Sequence, residues 1–254
     1  MNVFGLDIGG SAIKGALVDA STGEMLTERV RIKTPDPSTS EAVLETCVEV
    51  VSRAEVSSAV GCGFPGVVKG GVIQTSANLD DSNIGFDLRG RLEQKLGSTV
   101  QVINDADAAG LAEVRWGAGR GVDGVILMLT LGTGIGSALF VGGHLMPNTE
   151  LGHLEIGGHD AETRAADSAR KRENLSWKQY AERLDEYVTT VERLFWPDLI
   201  VVGGGISKKA EKFLPHLTAR TKVVPAEMQN EAGIAGAALS AVPEGATYPA
   251  HAPG

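Results

Sequence analysis

The feature that most constrains how this chain can fold is a pattern that occurs twice: an apolar strand, a glycine turn and a second strand. The first copy reads NVFGLDIGG and continues into the strand-like GALVDAS, and the second joins residues 125–130 to residues 137–141 through LGTGIG. Strands joined by short glycine turns predict β-hairpins. Two such turns that face each other would hold a chain of phosphates across a cleft, because successive backbone N–H groups form anion sites.

The first turn offers candidates for binding phosphate. The backbone N–H groups of Gly9, Gly10 and Ser11 can point at phosphoryl oxygens, and Lys14 can add positive charge. Asp7, at the end of the strand, could hold Mg²⁺ through water. An ordinary hairpin that ends in a buried aspartate remains the alternative.

A second constraint is the apolar run 100–104, which ends at Asn-Asp and is followed by small, helix-compatible residues up to Arg115. This order predicts a strand, a sharp turn and a helix, with Asp105 at the carboxyl end of the strand, where ligands bind in open α/β sheets. Near the positive end of a helix a carboxylate stays ionised and can accept a proton. The alternative is structural: Asn-Asp turns the chain and Asp107 caps the helix.

Composition limits the class of protein. The chain has 254 residues, of which 43% are hydrophobic and 22% charged, which is typical of a soluble globular protein with one large domain or two lobes. A net charge of −9 argues against general binding to nucleic acid. Cys47 and Cys62 form no CxxC motif, and the chain shows neither a signal peptide nor an apolar run of 18 residues. We therefore expect a cytoplasmic protein without a membrane partner.

Residues 150–162, ELGHLEIGGHDAE, gather carboxylates and histidines in a segment that glycines interrupt. Such groups donate and accept hydrogen bonds with a polyhydroxylated ligand. A solvated surface loop is the alternative. Histidines near carboxylates also occur in metal sites, but helical spacing and cysteines are absent, so we expect no zinc site.

The remaining patterns predict the organisation of the chain. Residues 40–53 and 162–194 are predicted to be helical, and residues 230–239 form a small-residue helix that can pack tightly against a neighbour. The predicted domains are an N-terminal lobe of residues 1–106, onto which a C-terminal helix at about 231–242 packs back, a C-terminal lobe of residues 107–230, and a disordered tail of residues 243–254.

The motifs DIGGSAIKG, NDADAAG, LGTGIG, ELGH, GGGIS and NEAGIAGAAL occur in this order, and with them the chain resembles the ROK sugar kinases from about residue 2 to residue 241. The resemblance implies an α/β protein of the actin/hexokinase-like ATPase fold, in which two ribonuclease-H-like lobes close over a sugar in a central cleft. It implies that Asp105 is the general base and contacts the sugar, and that Asn78, Asn104, Glu150 and His153 bind sugar hydroxyls. It also implies that phosphates and nucleotide are bound through Gly9, Gly10, Ser11, Lys14, Thr130, Gly132, Thr133, Gly134, Gly204 and Gly205.

The sequence departs from this family in one informative place. Most members carry a cysteine-rich zinc segment between the ELGH histidine and a further sugar-binding glutamate. Here GHDAE joins the two ends directly, so Glu162 takes the place of that glutamate in preference to Glu155. This short connection, followed by KRENLSW, looks like the branch of polyphosphate glucokinases and glucomannokinases. That branch implies transfer to the 6-hydroxyl of glucose from inorganic polyphosphate, ATP or both, with Mg²⁺, and leaves mannose open as a second sugar.

An acidic chain could hold a long polyanion only on a local basic track. The candidates are Lys14, Arg164, Arg170, Lys171, Arg172, Lys208, Lys209 and Lys212. Each of them, taken alone, could be a solvated surface charge instead. We also expect a homodimer.

Three other functions have to be distinguished. ROK transcriptional repressors carry a DNA-binding helix-turn-helix ahead of this fold, but DIGG occupies residues 7–10, so we expect no such domain. A non-catalytic sugar sensor would be expected to lack the base and would bind sugar without turnover. A strictly ATP-dependent glucokinase would form no product from polyphosphate.

Overall fold

The computed structural model describes residues 1–54 and 58–243. The chain divides into two compact units, Met1–Ala112 with the segment from Glu231 onward, and Glu113–Asn230. Each unit has its own five-stranded sheet and its own apolar core. Among the described residues, no helix is both long and apolar enough to cross a membrane. The predicted tail, apart from Pro243, lies outside the described residues.

The first unit is built on a mixed sheet. Its strands are β1 Asn2–Ile8, β2 Ala12–Asp19, β3 Val30–Lys33, β4 Val60–Phe64, β5 Val68–Lys69, β6 Val72–Ile73 and β7 Val100–Asn104. Its first helices are α1 Ser40–Arg53, α2 Leu88–Leu96 and α3 Asp105–Arg115, of which the part from Glu113 onward belongs to the second unit. The order in the sheet is β3-β2-β1-β4-β7. β2 runs antiparallel to β1 and β3, whereas β4 runs parallel to β1 and β7. β5 and β6 form a separate hairpin.

Helix α1 follows directly from its sequence. The Thr39 side chain accepts the N–H of Ala42 (3.4 Å) and so caps the first turn. The apolar positions Val43, Leu44 and Cys47 lie three or four residues apart and are buried in the core of the first unit. The predicted bounds of this helix are confirmed.

The second unit repeats this topology. Its strands are β8 Val125–Leu131, β9 Ile135–Val141, β10 His144–Met146, β11 Glu155–Ile156, β12 His159–Asp160, β13 Leu199–Gly203 and β14 Lys222–Pro225, and its helices are α4 Glu162–Ala165, α5 Asp167–Arg172 and α6 Trp177–Phe195. The order is β10-β9-β8-β13-β14, with β9 antiparallel to its two neighbours and β13 parallel to its own. The α/β class and the predicted repeat of strand, glycine turn and strand are therefore confirmed.

Most of residues 162–194 are helical as predicted, but they form three helices, α4, α5 and α6, with breaks between them. Ala166 adopts an extended backbone (ψ 158°) between α4 and α5, and the chain leaves the helical conformation again at Asn174 (φ 50°). Ser176 and Gln179 then form a capping box that starts α6. The S-x-x-Q pattern in the sequence marks this start, and it is the local reason why a new helix begins there.

Helix α7, Ala232–Ser240, packs against the first sheet at backbone distance. A Cβ on Gly5 of β1 would collide with the carbonyl of Ile234, and one on Gly61 of β4 would collide with that of Ala237. The small residues at these positions therefore let helix and sheet approach closely. The tight packing predicted for this helix is confirmed.

Candidate functional site

The first glycine turn joins β1 to β2 and is closed by its own hydrogen bonds. The N–H of Gly9 donates to the carbonyl of Ala12 (3.1 Å). Thr34, just after β3, donates its N–H to the Ser11 carbonyl (3.3 Å) and its Oγ1–H to the Gly9 carbonyl (2.5 Å). Of the three residues predicted to donate an N–H group to phosphate, Gly9 thus uses its N–H inside the hairpin. Gly10 and Ser11 are exposed and carry the N–H groups that could face an anion.

Asp7 and Lys14 face each other across this hairpin. They are partners in the β1–β2 register, and Lys14 Nζ lies 3.0 Å from Asp7 Oδ2. Their side chains are 20% and 29% exposed, so water screens the ion pair only in part. Lys14 therefore orients the carboxylate predicted to hold Mg²⁺, and a phosphate would compete with that carboxylate for the ammonium group.

Asn78 lies against the same turn. Its backbone is left-handed (φ 61°), a conformation that asparagine adopts more readily than most residues. A Cβ on Gly10 would lie 3.2 Å from the Cβ of Asn78, so the two residues are in contact. A predicted sugar-binding residue and a predicted phosphate-binding residue are thus neighbours in the first unit.

Asn104 ends β7 and caps α3. Its Oδ1 accepts the N–H groups of Ala106 (2.8 Å) and Asp107 (3.0 Å), and its Nδ2 donates to the carbonyl of Gly66 (3.1 Å). The alternative in which Asp107 caps the helix is wrong, since Asp107 is buried within α3. Both lone pairs of Oδ1 are used, so a contact of Asn104 with a sugar would have to use the second Nδ2–H.

Asp105 is the first residue of α3 and is partly buried. Its Cα lies beside Gly63 of the neighbouring strand β4, 3.5 Å from where a Cβ on that glycine would be. The structure places Asp105 at the carboxyl end of parallel strands, as predicted. The partial positive charge of the helix N-terminus favours the ionised carboxylate there.

The second glycine turn, residues 132–134, joins β8 to β9. The N–H of Gly132 donates to the carbonyl of Gly134 (3.0 Å). Ser168, in the first turn of α5, donates its N–H to the Gly132 carbonyl (3.0 Å) and its Oγ–H to the Thr133 carbonyl (2.6 Å). Thr130 lies in β8, two residues before the turn. The second turn is therefore fixed from a helix outside the sheet.

Glu162, the first residue of α4, contacts this second turn through its carboxylate. Its Oε2 accepts the N–H of Ile135 (3.1 Å). A Cβ on Gly134 would collide with the same oxygen, so glycine at this position leaves room for the carboxylate. The predicted sugar ligand Glu162 thus also contacts the predicted phosphate turn.

Glu150, His153 and Asp160 form a polar group next to Glu162. Nδ1 of His153 lies 3.1 Å from Asp160 Oδ2, and its Nε2 lies 3.8 Å from Glu150 Oε2. The hydrogen bond to Asp160 raises the pKa of His153 above its ordinary value, and the negative charges of Glu162 and Glu150 add to the rise. Burial raises the pKa of Glu150, the charge of Glu162 adds to this, and His153 opposes it. The three sugar-binding candidates of the second unit are therefore neighbours.

The triple glycine follows β13. Gly204 has a φ of 80°, and a Cβ there would collide with the backbone of Leu131. The next element, Gly205–Lys212, is a 3-10 helix with a kink at Lys209 (φ −121°, ψ 23°) and not a regular α-helix. The triple-glycine loop packs directly against the strand that leads into the turn 132–134.

Five cations of the predicted basic track form ion pairs with carboxylates, and two others lie over an aromatic ring. The carboxylate contacts are Lys14 with Asp7 at 3.0 Å, Arg164 with Glu186 at 3.7 Å, Arg170 and Lys171 with Asp167 at 2.9 and 2.7 Å, and Arg172 with Glu173 at 2.9 Å. Lys209 and Lys212 lie instead over the ring of Trp177, with Nζ 5.8 and 5.6 Å from the ring centroid.

Three residues with clear roles were not predicted from the sequence. Thr34 and Ser168 hold the glycine turns through contacts that are distant in the chain and leave no local pattern. The position of Asp160 could have been predicted from the Gly-Gly pair that precedes it. Gly157 and Gly158, with φ of 61° and 80°, form the two-residue turn between β11 and β12 that brings Asp160 back to the start of the hairpin.

Among the described residues, no three His, Cys, Asp or Glu side chains are grouped so that they could hold a metal ion. Cys47 and Cys62 are buried and form no disulfide, and burial raises the pKa of Cys47 to about 12. The expectation of no zinc stays a prediction.

Comparison with known proteins shows what the chain is similar to. The ROK family model matches residues 3–165. A polyphosphate glucokinase of Mycobacterium tuberculosis is 48% identical over 240 residues, which are 94% of this chain and 91% of the relative. The crystal structure of an inorganic polyphosphate/ATP-glucomannokinase from Arthrobacter is 52% identical with a TM-score of 0.89, covering 94% and 97% of the two chains. A ROK hexokinase from Thermus thermophilus is 29% identical with a TM-score of 0.77, covering 95% and 98%.

Proposed function

The chain belongs to the ROK family, and on that premise we propose that it is a glucokinase that transfers a phosphoryl group from inorganic polyphosphate or ATP to the 6-hydroxyl of glucose. The observation that carries the proposal is 48% identity to a polyphosphate glucokinase over 94% of this chain. The name of the Arthrobacter relative supports ATP as a second donor and mannose as a second sugar.

Asp105 acts as the general base of this reaction. It accepts the proton of the 6-hydroxyl as that oxygen forms a bond to the terminal phosphorus, while the bond from phosphorus to the leaving phosphate breaks. The position of Asp105 at the first residue of α3 supports this role, because negative charge is favoured at a helix N-terminus. Phosphoryl transfer otherwise depends mainly on positioning and electrostatics.

Glu150, His153 and Glu162 bind sugar hydroxyls through charge-assisted hydrogen bonds. Their proximity in the second unit supports this assignment. Asn78 and Asn104 are the sugar-binding candidates of the first unit. The raised pKa of Glu150 means that its carboxylate is lost at a higher pH than that of an ordinary glutamate, which limits sugar binding on the acid side.

The glycine turns bind the phosphates of the donor, and Gly204 and Gly205 lie by the nucleotide when ATP is used. Mg²⁺ is usually held by one or two carboxylates together with substrate phosphates and water. Asp7, whose partly buried carboxylate is oriented by Lys14, fits that pattern. When bound, Mg²⁺ neutralises charge that develops on the phosphates.

The proposal is tested by measuring glucose phosphorylation with polyphosphate and with ATP, each at two salt concentrations. We expect product from both donors and a steeper loss of polyphosphate use with added salt, because a long polyanion contacts more cations and releases more counterions. Normal rates with ATP and no product from polyphosphate would leave a strictly ATP-dependent glucokinase. Sugar binding without turnover by either donor would leave a non-catalytic sensor.

Metal content, assembly and location are further parts of the proposal. Elemental analysis of the purified protein should find no stoichiometric zinc, and activity should depend on added Mg²⁺. One tightly held zinc per chain would overturn this. We expect a homodimer in sedimentation experiments and a cytoplasmic location.

A further inference from the structure

Three cationic side chains of the second unit converge on one indole ring. The guanidinium carbon of Arg170 lies 4.4 Å from the centroid of Trp177, and Nζ of Lys212 and of Lys209 lie 5.6 and 5.8 Å from it. We call these four residues the Trp177 cluster. Like charges gathered this closely create a local positive potential on an otherwise acidic protein.

Lys209 and Lys212 are not neutralised by neighbouring carboxylates. Arg170 shares Asp167 with Lys171, at 2.9 and 2.7 Å. In the described part of the chain, by contrast, no carboxylate oxygen lies within 4.0 Å of Nζ of either lysine of the cluster. Glu211 lies between the two lysines in sequence and is exposed. Two ammonium groups on the surface of the second unit are therefore available to an anion.

The cluster adjoins the second glycine turn, residues 132–134. Arg170 is two residues after Ser168, which hydrogen-bonds the turn 132–134. Lys209 and Lys212 lie on the 3-10 helix that starts directly after Gly204, and Gly204 packs against Leu131 at the start of the same turn. Both elements that carry the cations therefore begin at the turn that binds phosphate in the proposed function.

The two donors differ in what lies beyond their reacting end. In ATP the phosphates end after the third, and a nucleoside follows. In polyphosphate, charged phosphates continue, so only the longer polymer can bring further negative charge to cations beyond the turn. We propose that the Trp177 cluster binds inner phosphates of a polyphosphate chain whose terminal phosphate is at the glycine turns. This inference rests on the proposed function.

The first test uses the full-length chain and removes the positive charges of Lys209 and Lys212. Lys209→Gln with Lys212→Gln should lower kcat/KM for long-chain polyphosphate by about tenfold or more, and kcat/KM for ATP by much less. The salt slope of polyphosphate use should fall by about two, one for each lost lysine–phosphate contact. The matched control is Lys69→Gln with Lys222→Gln, which removes two exposed lysines elsewhere and should not change the preference between donors.

The second test measures binding without transfer. In the absence of glucose, long-chain polyphosphate should change tryptophan fluorescence and bind more tightly than sodium tripolyphosphate. Trp177→Phe should abolish the fluorescence change, whereas Trp196→Phe, at a tryptophan whose ring lies under Arg220, should keep it. In the double lysine variant the affinity should no longer increase with chain length.

The outcomes separate this inference from the proposed function. Equal losses with both donors in the lysine variant would assign the cluster to phosphates that ATP also has, and unchanged polyphosphate use would remove it from donor binding; either result overturns the inference. If the wild type forms no product from polyphosphate, the donor assignment fails, and the fluorescence titration still decides whether the cluster binds the polymer.

Discussion

The two five-stranded sheets share strand order and direction, yet their glycine turns have different surroundings. Each turn is held by a hydroxyl-bearing residue that donates an N–H and an O–H to two turn carbonyls, Thr34 in the first unit and Ser168 in the second. The second turn is also in contact with a carboxylate, that of Glu162. The repeated topology thus repeats the glycine turn predicted to bind anions, and the added carboxylate links the second turn to the sugar-binding candidates.

The last strands of the two sheets, β7 and β14, are also followed by different structures. After β7, the Asn104 side chain caps α3 and puts Asp105 at the helix N-terminus. After β14, the N–H groups of Glu227 and Met228 donate to the carboxylate of Glu113 (3.1 and 2.7 Å), and the next element is a short 3-10 helix. The proposed base Asp105 therefore lies at the N-terminus of an α-helix, whereas a short 3-10 helix follows the last strand of the second sheet.

The largest effect should come from Asp105→Asn, which tests this difference between the strand ends. The side chain keeps its shape but can no longer accept the proton, so kcat should fall about 10²–10⁴-fold while sugar affinity changes little. The matched control is Glu227→Gln, which removes an exposed carboxylate just after the corresponding strand of the second sheet and should leave kcat unchanged. A variant at position 105 with a third of the wild-type kcat would exclude Asp105 from the role.

The sequence predicted those parts of the comparison that depend on local patterns. The two hairpins, the strand before Asp105 and helix α1 follow from apolar periodicity and glycine turns, and the structure confirms them. The break between α5 and α6 is also local, since the S-x-x-Q pattern at Ser176 marks the start of α6, but the prediction from apolar periodicity did not use that pattern. The contacts of Thr34 and Ser168 with the glycine turns, and of Lys209 and Lys212 with Trp177, join residues distant in the chain, so no short sequence window contains both partners.

The next effect should come from adding a methyl group to each turn. Gly134→Ala places a Cβ where the Glu162 carboxylate lies, so that carboxylate must leave its hydrogen bond with Ile135. The displaced carboxylate also loses its proposed charge-assisted hydrogen bond with a sugar hydroxyl. Such a bond contributes about 1.5–3 kcal/mol, so the KM for glucose should rise about tenfold or more. Gly10→Ala is the counterpart in the first turn. Its Cβ would lie 3.2 Å from the Cβ of Asn78, which is a milder clash, so it should raise the KM for glucose less.

The control for the alanine substitutions is Gly132→Ala. Apart from the adjacent residues Leu131 and Thr133, no described residue has an atom within 4 Å of the Cβ that it adds, so the KM for glucose should not change even if donor binding does. Thermal melting of all three variants checks that each is folded. Equal glucose constants in Gly134→Ala and Gly10→Ala would show that the carboxylate does not distinguish the two turns.

A smaller effect should separate the sugar candidates by their pH dependence. Asn78 and Asn104 do not titrate, whereas the hydrogen bond to Asp160 raises the pKa of His153. Asp160→Asn should therefore lower that pKa, measured from histidine proton shifts in NMR titrations. Because the folded-state pKa is raised, the contact stabilises the fold below the unfolded-state pKa, and this stabilisation is lost as pH rises through the folded value.

Asp160→Asn should accordingly lower Tm more at about pH 5.5 than at about pH 8.5. Asp123→Asn, at an exposed carboxylate of the same unit, is the control and should change neither the His153 pKa nor the pH dependence of Tm. A loss of Tm that is the same at both pH values would contradict the assigned hydrogen bond.

The smallest effect should come from removing the hydroxyl that holds each turn. Thr34→Val and Ser168→Ala keep the N–H donor and delete one hydroxyl–carbonyl bond, so each should lower the free energy of unfolding by about 0.5–1.5 kcal/mol. Thr46→Val, which deletes the same kind of bond to the Ala42 carbonyl within α1, is the control for stability without a turn. Both turn variants should raise the donor KM more than this control does. Only Ser168→Ala should also raise the KM for glucose, because the turn that it loosens is the one in contact with Glu162. The same rise in Thr34→Val would show that the two turns are equivalent despite the added carboxylate.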